Sequence, residues 1–435
     1  MADSLKKGFI IIISATFLSK AFGFARELVI ASKFGISEDF DVLLAIFAIP
    51  TAITSLFIYA VPHIIIPRLD LNQQSKAKFY LSFSQGYFWV YILLLFCIAF
   101  LYIIFSYLFL QFDIYKTINE NKLLVSKLLL LFGLYIFIYS IYAILKAVYN
   151  AKQKFILPAF SPLIIHLSII FTVLLFHSYG VICFAYGLVI GSILQLLIYY
   201  FDFRRQKILK YFRFGIKPNK LELSAYFIIF FIELLGQTYT LIDRFFIEKL
   251  PEGHISSLYY ANTLNNLPVT IIGMSLGTLL FPEITRLAQL DELNKLKNII
   301  FKALLLSFLA GLSIFIIFFV FGDTVISILF ERGKFDDNAV YITNSYLVYL
   351  AIGLPLILVH VILAKLSFAF HKERLLLLST IMALILKFLL SNYFINQNFF
   401  QGLAFATSIS FLLNVMIMLI ILYKRFLKVN TVENV

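Results

Sequence analysis

Eight basic residues sit inside long apolar stretches of the chain: Lys20, Arg26, Lys127, Lys146, Arg244, Lys302, Lys365 and Lys387. The clear acidic cases are fewer, namely Glu27, Asp41, Glu233 and Asp243. A charge placed in hydrocarbon costs on the order of 2.5–3.5 kcal/mol on insertion scales, so each marks either a pathway or a partner. The surplus of cations makes the interior net positive. Such an interior suits phosphate or pyrophosphate, because a guanidinium fork binds these oxygens bidentately while an ammonium adds a point charge. An anionic cargo is expected, with Lys20, Arg26, Glu27, Asp41, Lys146, Asp243, Arg244 and Lys365 as its candidate binding residues. No nucleophile, base and acid set falls in these stretches, so an enzyme is not expected. No Gly-rich loop is followed by Lys-Ser/Thr, which argues against ATP hydrolysis by the chain itself.

Other readings compete for several of these residues. Lys127, Lys302 and Lys387 lie near a stretch boundary or lack a counterpart in the other half, and long stems of this kind commonly snorkel to headgroups. Arg26-Glu27 and Asp243-Arg244 are sequence-adjacent pairs that either close the packing or face the cargo. His166 and His360, isolated among apolar residues, read as hydrogen-bonded packing residues. Pro50 and Pro268 each remove a backbone hydrogen bond from a helix, which makes them candidate hinges or else static kinks. Cys97 and Cys183 both fall in apolar runs, leaving no disulfide framework and no thiolate metal site. No cofactor or metal is expected, and an ion gradient or the membrane potential is the expected driving force.

The elements that must hold these charges follow from composition. Of 435 residues, 62% are hydrophobic and 14% charged, against roughly 45–50% and 25% in soluble domains. Mean hydropathy is +0.95. A soluble fold is excluded, and in lipid only helices or closed barrels satisfy their own backbone. Apolar runs near 20 residues make the spans helical. They fall near 8–31, 40–66, 79–110, 123–149, 156–176, 180–201, 223–248, 255–282, 298–322, 338–370, 375–396 and 400–423. Lys6 and Lys7 precede the first as in a signal peptide, but Lys20 and Arg26 interrupt it and no small-residue cleavage site follows, so it counts as a span. The 50 Phe and 25 Tyr read mostly as lipid-facing surface and interfacial belt.

Loop charge sets orientation. With the amino terminus inside, 22 loop Lys and Arg fall on that side and 6 on the other, so both termini are expected in the cytoplasm. The basic segment 202–222 divides the spans six and six. Arg26 and Arg244, Gly35 and Gly253, and Pro50 and Pro268 are each 218 apart; Lys146 and Lys365, and Gln195 and Asn414, are 219 apart. This reads as an internal duplication. The expected fold is an all-α polytopic membrane protein with twelve transmembrane helices in two six-helix lobes, 1–201 and 223–435, joined by the 202–222 linker around a central cavity.

Several motifs resemble a known family. Ser19-Lys20-Ala21-Phe22-Gly23-Phe24-Ala25-Arg26-Glu27, followed by Phe34-Gly35 and Asp41, is similar to the signature Ser-Arg-x-x-Gly-Phe-x-Arg-Asp of the MviN/MurJ family of lipid II flippases. Leu250-Pro251-Glu252-Gly253, Ile255-Ser256, Tyr259-Tyr260-Ala261, Pro268, Gly273, Leu276-Gly277-Thr278 and Leu329-Phe330-Glu331-Arg332-Gly333-Lys334-Phe335 resemble its seventh to tenth spans. The resemblance covers nearly the whole chain. It implies alternating-access transport of an undecaprenyl-pyrophosphate-linked cell-wall precursor to the outer leaflet of the bacterial inner membrane. It also implies a polyprenyl-pyrophosphate lipid substrate, with cell-wall synthesis proteins as partners of a monomer. Departures are specific. The first signature arginine is Lys20, the Arg-Asp pair is Arg26-Glu27, the second-span arginine falls on Thr54, and the Asp-Arg after Tyr-Tyr-Ala is Asn262-Thr263. The family usually adds two spans that form a lipid-tail groove, whereas twelve are read here. Three alternatives stay open: a flippase for another polyprenyl-linked oligosaccharide, a cation-coupled small-molecule exporter resting on the acids, and a non-transporting membrane scaffold.

Overall fold

The computed structural model describes residues 2–65, 80, 88–111, 121–152, 154–211, 213, 223–273, 293–370 and 372–432. It is almost entirely helical, and the chain divides into two compact units, Met1–Gln237 and Thr238–Val435. Each of the twelve expected stretches holds helix. In the first unit these are α1 (Ala2–Phe34), α2 (Glu38–Ile65), α3 (Trp89–Gln111), α4 (Lys122–Ala151), α5 (Ile156–Phe176) and α6 (Ile182–Arg205). Then α7 (Leu223–Phe245) runs across the division, followed by α8 (His254–Pro268), α9 (Leu293–Phe330), α10 (Asp337–Ala351), α11 (Leu354–Ala369), α12 (Glu373–Asn396) and α13 (Gly402–Val432).

Among the described residues, seven helices are long and apolar enough to cross a membrane, or eight if the bent pair α10–α11 is one span. The stretch 338–370 reads as one helix in sequence but breaks at Ile352–Gly353 with a 48° bend. The reason is local: Pro355 has no N–H for the Ala351 carbonyl one turn back. The expected linker also differs in detail. Helix α6 continues to Arg205, Leu209–Tyr211 forms a 3-10 turn, and 214–222 lie outside the described residues.

In the first unit α1 packs on α5, α2 on α4, and α6 on both α4 and α5. Its core gathers Tyr142, Tyr199, Val148 and Phe203. Helices α5 and α6 meet at backbone distance: a Cβ on Gly187 would stand 2.7 Å from Ile169 Cα, and one on Gly191 would stand 2.8 Å from Ile165 Cα. Glycines four residues apart let backbones approach where lipid supplies no hydrophobic drive. In the second unit α8 packs on α10, α12 on α13, and α11 on both α9 and α13, around Leu296, Ile362, Leu366 and Met418.

The two units carry matching devices at the offset seen in the sequence. Gly35 (φ 59°) and Gly253 (φ 81°) turn the first helix of each half into the second. Gly180 (φ 76°) and Asn398 (φ 58°), also 218 apart, turn the fifth into the sixth, at a backbone geometry that glycine and asparagine tolerate best. Gln195 donates to the Ser161 carbonyl at 2.7 Å, and Asn414 donates to the Thr380 hydroxyl at 3.5 Å. Both donors and both acceptors are 219 apart, so the same helix pair is stitched by the same amide position in each half.

Candidate functional site

In the first unit the charged cluster is built on α1 and α5. Gly23 and Arg26, one turn apart on α1, face His166 of α5. The Arg26 guanidinium reaches Glu27 through Nε at 3.0 Å and also through Nη2. Its Nη1 stands 3.5 Å from His166 Nδ1. Glu27 is buried, while the Arg26 side chain stays 21% exposed. Lys20 is exposed on the same helix, and Asp41 is buried in the first turn of α2. Lys146 is partly exposed and leans over the Tyr142 ring, its Nζ 6.0 Å from the centroid. Lys127 is exposed beside the start of α4, in keeping with snorkelling.

In the second unit Arg244 is the counterpart of Arg26, and its acidic neighbour precedes it rather than follows it. Asp243 and Arg244 are both buried. The Asp243 carboxylate is met by Lys387 of α12, with Nζ at 2.9 Å from Oδ1. The same ammonium donates to the Tyr239 carbonyl at 2.7 Å and lies 5.1 Å from the centroid of that ring. Arg244 donates through Nη1 to the Ile255 carbonyl at 3.1 Å, tying the end of α7 to the first turn of α8. Lys365, the counterpart of Lys146, is exposed.

Two expectations need correction. Lys387 does not snorkel: it is 1% exposed and paired with an acid. The signal was present in its position, nine residues from the nearer end of α12, or about 14 Å of helix, too deep for a lysine to reach headgroups. His360 is a packing residue, its ring 5.5 Å from that of Phe411, but its buried Nε2 has no hydrogen-bond partner among the described residues.

The proline positions also differ between the halves. Helix α2 runs continuously through Pro50, and Thr54, where the family carries arginine, is buried with its hydroxyl donating to the Pro50 carbonyl at 2.8 Å. Pro268 closes the α-helical part of α8, and Val269–Gly273 continues as a π-helix. Thr263 is likewise turned onto its own helix, donating to the Tyr259 carbonyl at 3.0 Å. Neither threonine can replace the charge of an arginine. No group of three or more His, Cys, Asp or Glu that could hold a metal occurs among the described residues.

Chemically, the arrangement offers a partly exposed guanidinium, an exposed ammonium and a buried carboxylate on α1.

Comparison with known proteins bears on the family and the fold. One curated relative, "Probable lipid II flippase MurJ" of Buchnera aphidicola subsp. Acyrthosiphon pisum, is 28% identical over 97% of this chain and 84% of its own length. Another of the same name from Borreliella burgdorferi is 25% identical over 98% of this chain and 84% of its own. Among solved structures, a lipid II flippase MurJ in an inward closed conformation superposes with a TM-score of 0.78 at 24% identity, covering 96% of this chain and 89% of that one. An inward-facing MATE-family multidrug transporter of the MOP superfamily gives 0.73 at 11% identity, covering 97% and 99%. These likenesses place the fold among multi-pass membrane transporters, and no catalytic enzyme is implied. With the family model "Lipid II flippase MurJ" matching residues 30–433, the chain belongs to the lipid II flippase MurJ family.

Proposed function

We propose that this protein carries a polyprenyl-pyrophosphate-linked cell-wall precursor, lipid II or a near relative of it, from the inner to the outer leaflet by alternating access. The observation that carries the reading is the family match across residues 30–433. The partly exposed Arg26 and exposed Lys20 support it, because they offer cations where a pyrophosphate would need them. The exposed Lys365 and partly exposed Lys146 are further candidate contacts. Asp41, Asp243 and Arg244 are buried and are better suited to holding helices in place than to meeting cargo in this conformation. Pro50 and Pro268 remain the candidate hinges.

The same reading places the chain in the bacterial inner membrane as a monomer with both termini in the cytoplasm, its lobes at 1–201 and 223–435, and cell-wall synthesis enzymes as partners. An ion gradient or the membrane potential is the proposed driving force, since a charge crossing the full potential is worth about 2.3 kcal/mol per 100 mV.

Thr54 and Asn262-Thr263, standing where the family has arginines, favour a second cargo: another polyprenyl-linked oligosaccharide recognised by the same phosphate chemistry. Expression in cells depleted of their own lipid II flippase decides between the two. Rescue of growth, with lipid II reaching the outer leaflet, supports the first. Membrane-inserted protein that fails to rescue refutes it and turns the search to other polyprenyl-linked sugars.

A further inference from the structure

Outside the family signature, His166 of α5 meets α1 at two positions. Its ring lies over Gly23, where an added Cβ would sit 3.4 Å from Nε2, and its Nδ1 stands 3.5 Å from Arg26 Nη1. Two positions one turn apart on α1 therefore face a single side chain of α5. Arginine carries donors only, so the Nδ1 lone pair must accept, and the ring proton resides on Nε2.

We infer that His166 is a positioning residue for Arg26: a neutral acceptor on α5 that fixes the far end of the guanidinium while Glu27 holds its Nε side. An arginine clamped at two places presents one orientation to an anion, and orientation is what bidentate recognition requires. The inference rests on Arg26 meeting the pyrophosphate, but the coupling between the two residues can be read without any cargo.

The test uses the full chain with three substitutions at one site. His166→Asn places an amide oxygen close to where Nδ1 stands, His166→Gln places it nearer to Nε2, and His166→Leu removes the acceptor. Each is made in the native protein and in Arg26→Lys, whose single ammonium lacks the fork that meets Glu27 and the ring together. In lipid II transport, Leu and Gln are expected to raise KM about tenfold with kcat changed less than about twofold, and Asn to stay within about threefold. In the Arg26→Lys background the three should differ by less than about twofold. Melting temperatures in detergent give the same cycle with no substrate: the loss from His166→Leu should shrink once Arg26 is lysine.

An Asn variant as impaired as Leu would overturn the proposal. So would a Leu defect of equal size in both backgrounds, in KM or in melting temperature, because either result makes His166 a packing residue. Native protein that moves no lipid II, with coupling present in the melting cycle, would refute the cargo and leave the positioning role standing.

Discussion

The Lys387 ammonium stands 2.9 Å from the Asp243 carboxylate, both buried where α12 meets α7. The ammonium also takes the Tyr239 carbonyl, one turn before Asp243 on α7. Lone charges in this setting would be untenable, so each depends on the other. The duplication does not require this pair: the residues equivalent to Lys387, near Ser168 and Ile169, are uncharged. The Lys387–Asp243 pair is therefore not a repeated feature of the two halves.

The first prediction concerns that pair. Lys387→Ala should leave a buried carboxylate unpaired and lower stability by about 3–5 kcal/mol. Lys387→Met combined with Asp243→Asn should recover most of the loss, since neither charge remains. Denaturation of the detergent-purified protein measures both, and equal stability of the Lys387→Ala variant and the native chain would show the pair to be dispensable.

Arg26 and Glu27 are predicted to behave differently, because the guanidinium is partly exposed. Arg26→Ala should abolish transport with normal membrane insertion, losing a charge-assisted contact worth about 1.5–3 kcal/mol. Arg26→Lys should keep partial function. The decisive variant is Arg26→Ala with Glu27→Gln, which is expected to stay inactive. If that double variant transports at native levels, the pair serves only to hold α1 in place.

Backbone contact between α5 and α6 makes a third prediction. Gly191→Leu must push apart helices whose backbones meet at Ile165, and overpacking of this kind costs typically about 1–3 kcal/mol. Leu194→Ala, three residues on and exposed on the same helix, should change the melting temperature little. Reversal of that order would place the α5–α6 contact elsewhere.

The fourth prediction concerns topology. Cysteines introduced at Glu252 and Lys207, both exposed, should label from opposite faces of the membrane: Glu252 from outside the cell and Lys207 only after permeabilisation. Labelling of Lys207 in intact cells would invert the proposed orientation.

Helical membrane spans were legible in the sequence, because transfer into lipid is priced residue by residue and composition alone decides it. The duplication was legible as well, in the constant offset of Arg26 and Arg244 or Gly35 and Gly253, since each position does the same local work in its own half. Other features could not be read this way. That α10 and α11 are separate helices depends on how a proline's missing donor is accommodated where Gly311 of α9 lies against Pro355. That Asp243 belongs to Lys387 rather than to its neighbour Arg244 alone is a matter of which helices touch, 144 residues apart in the chain. Likewise His166 is only an isolated polar residue in sequence, and it gains meaning when α5 brings it 3.5 Å from Arg26. Solvation is local and additive enough to be read along a chain, whereas charge pairing is a property of distance, and distance between remote residues exists only once the helices have packed.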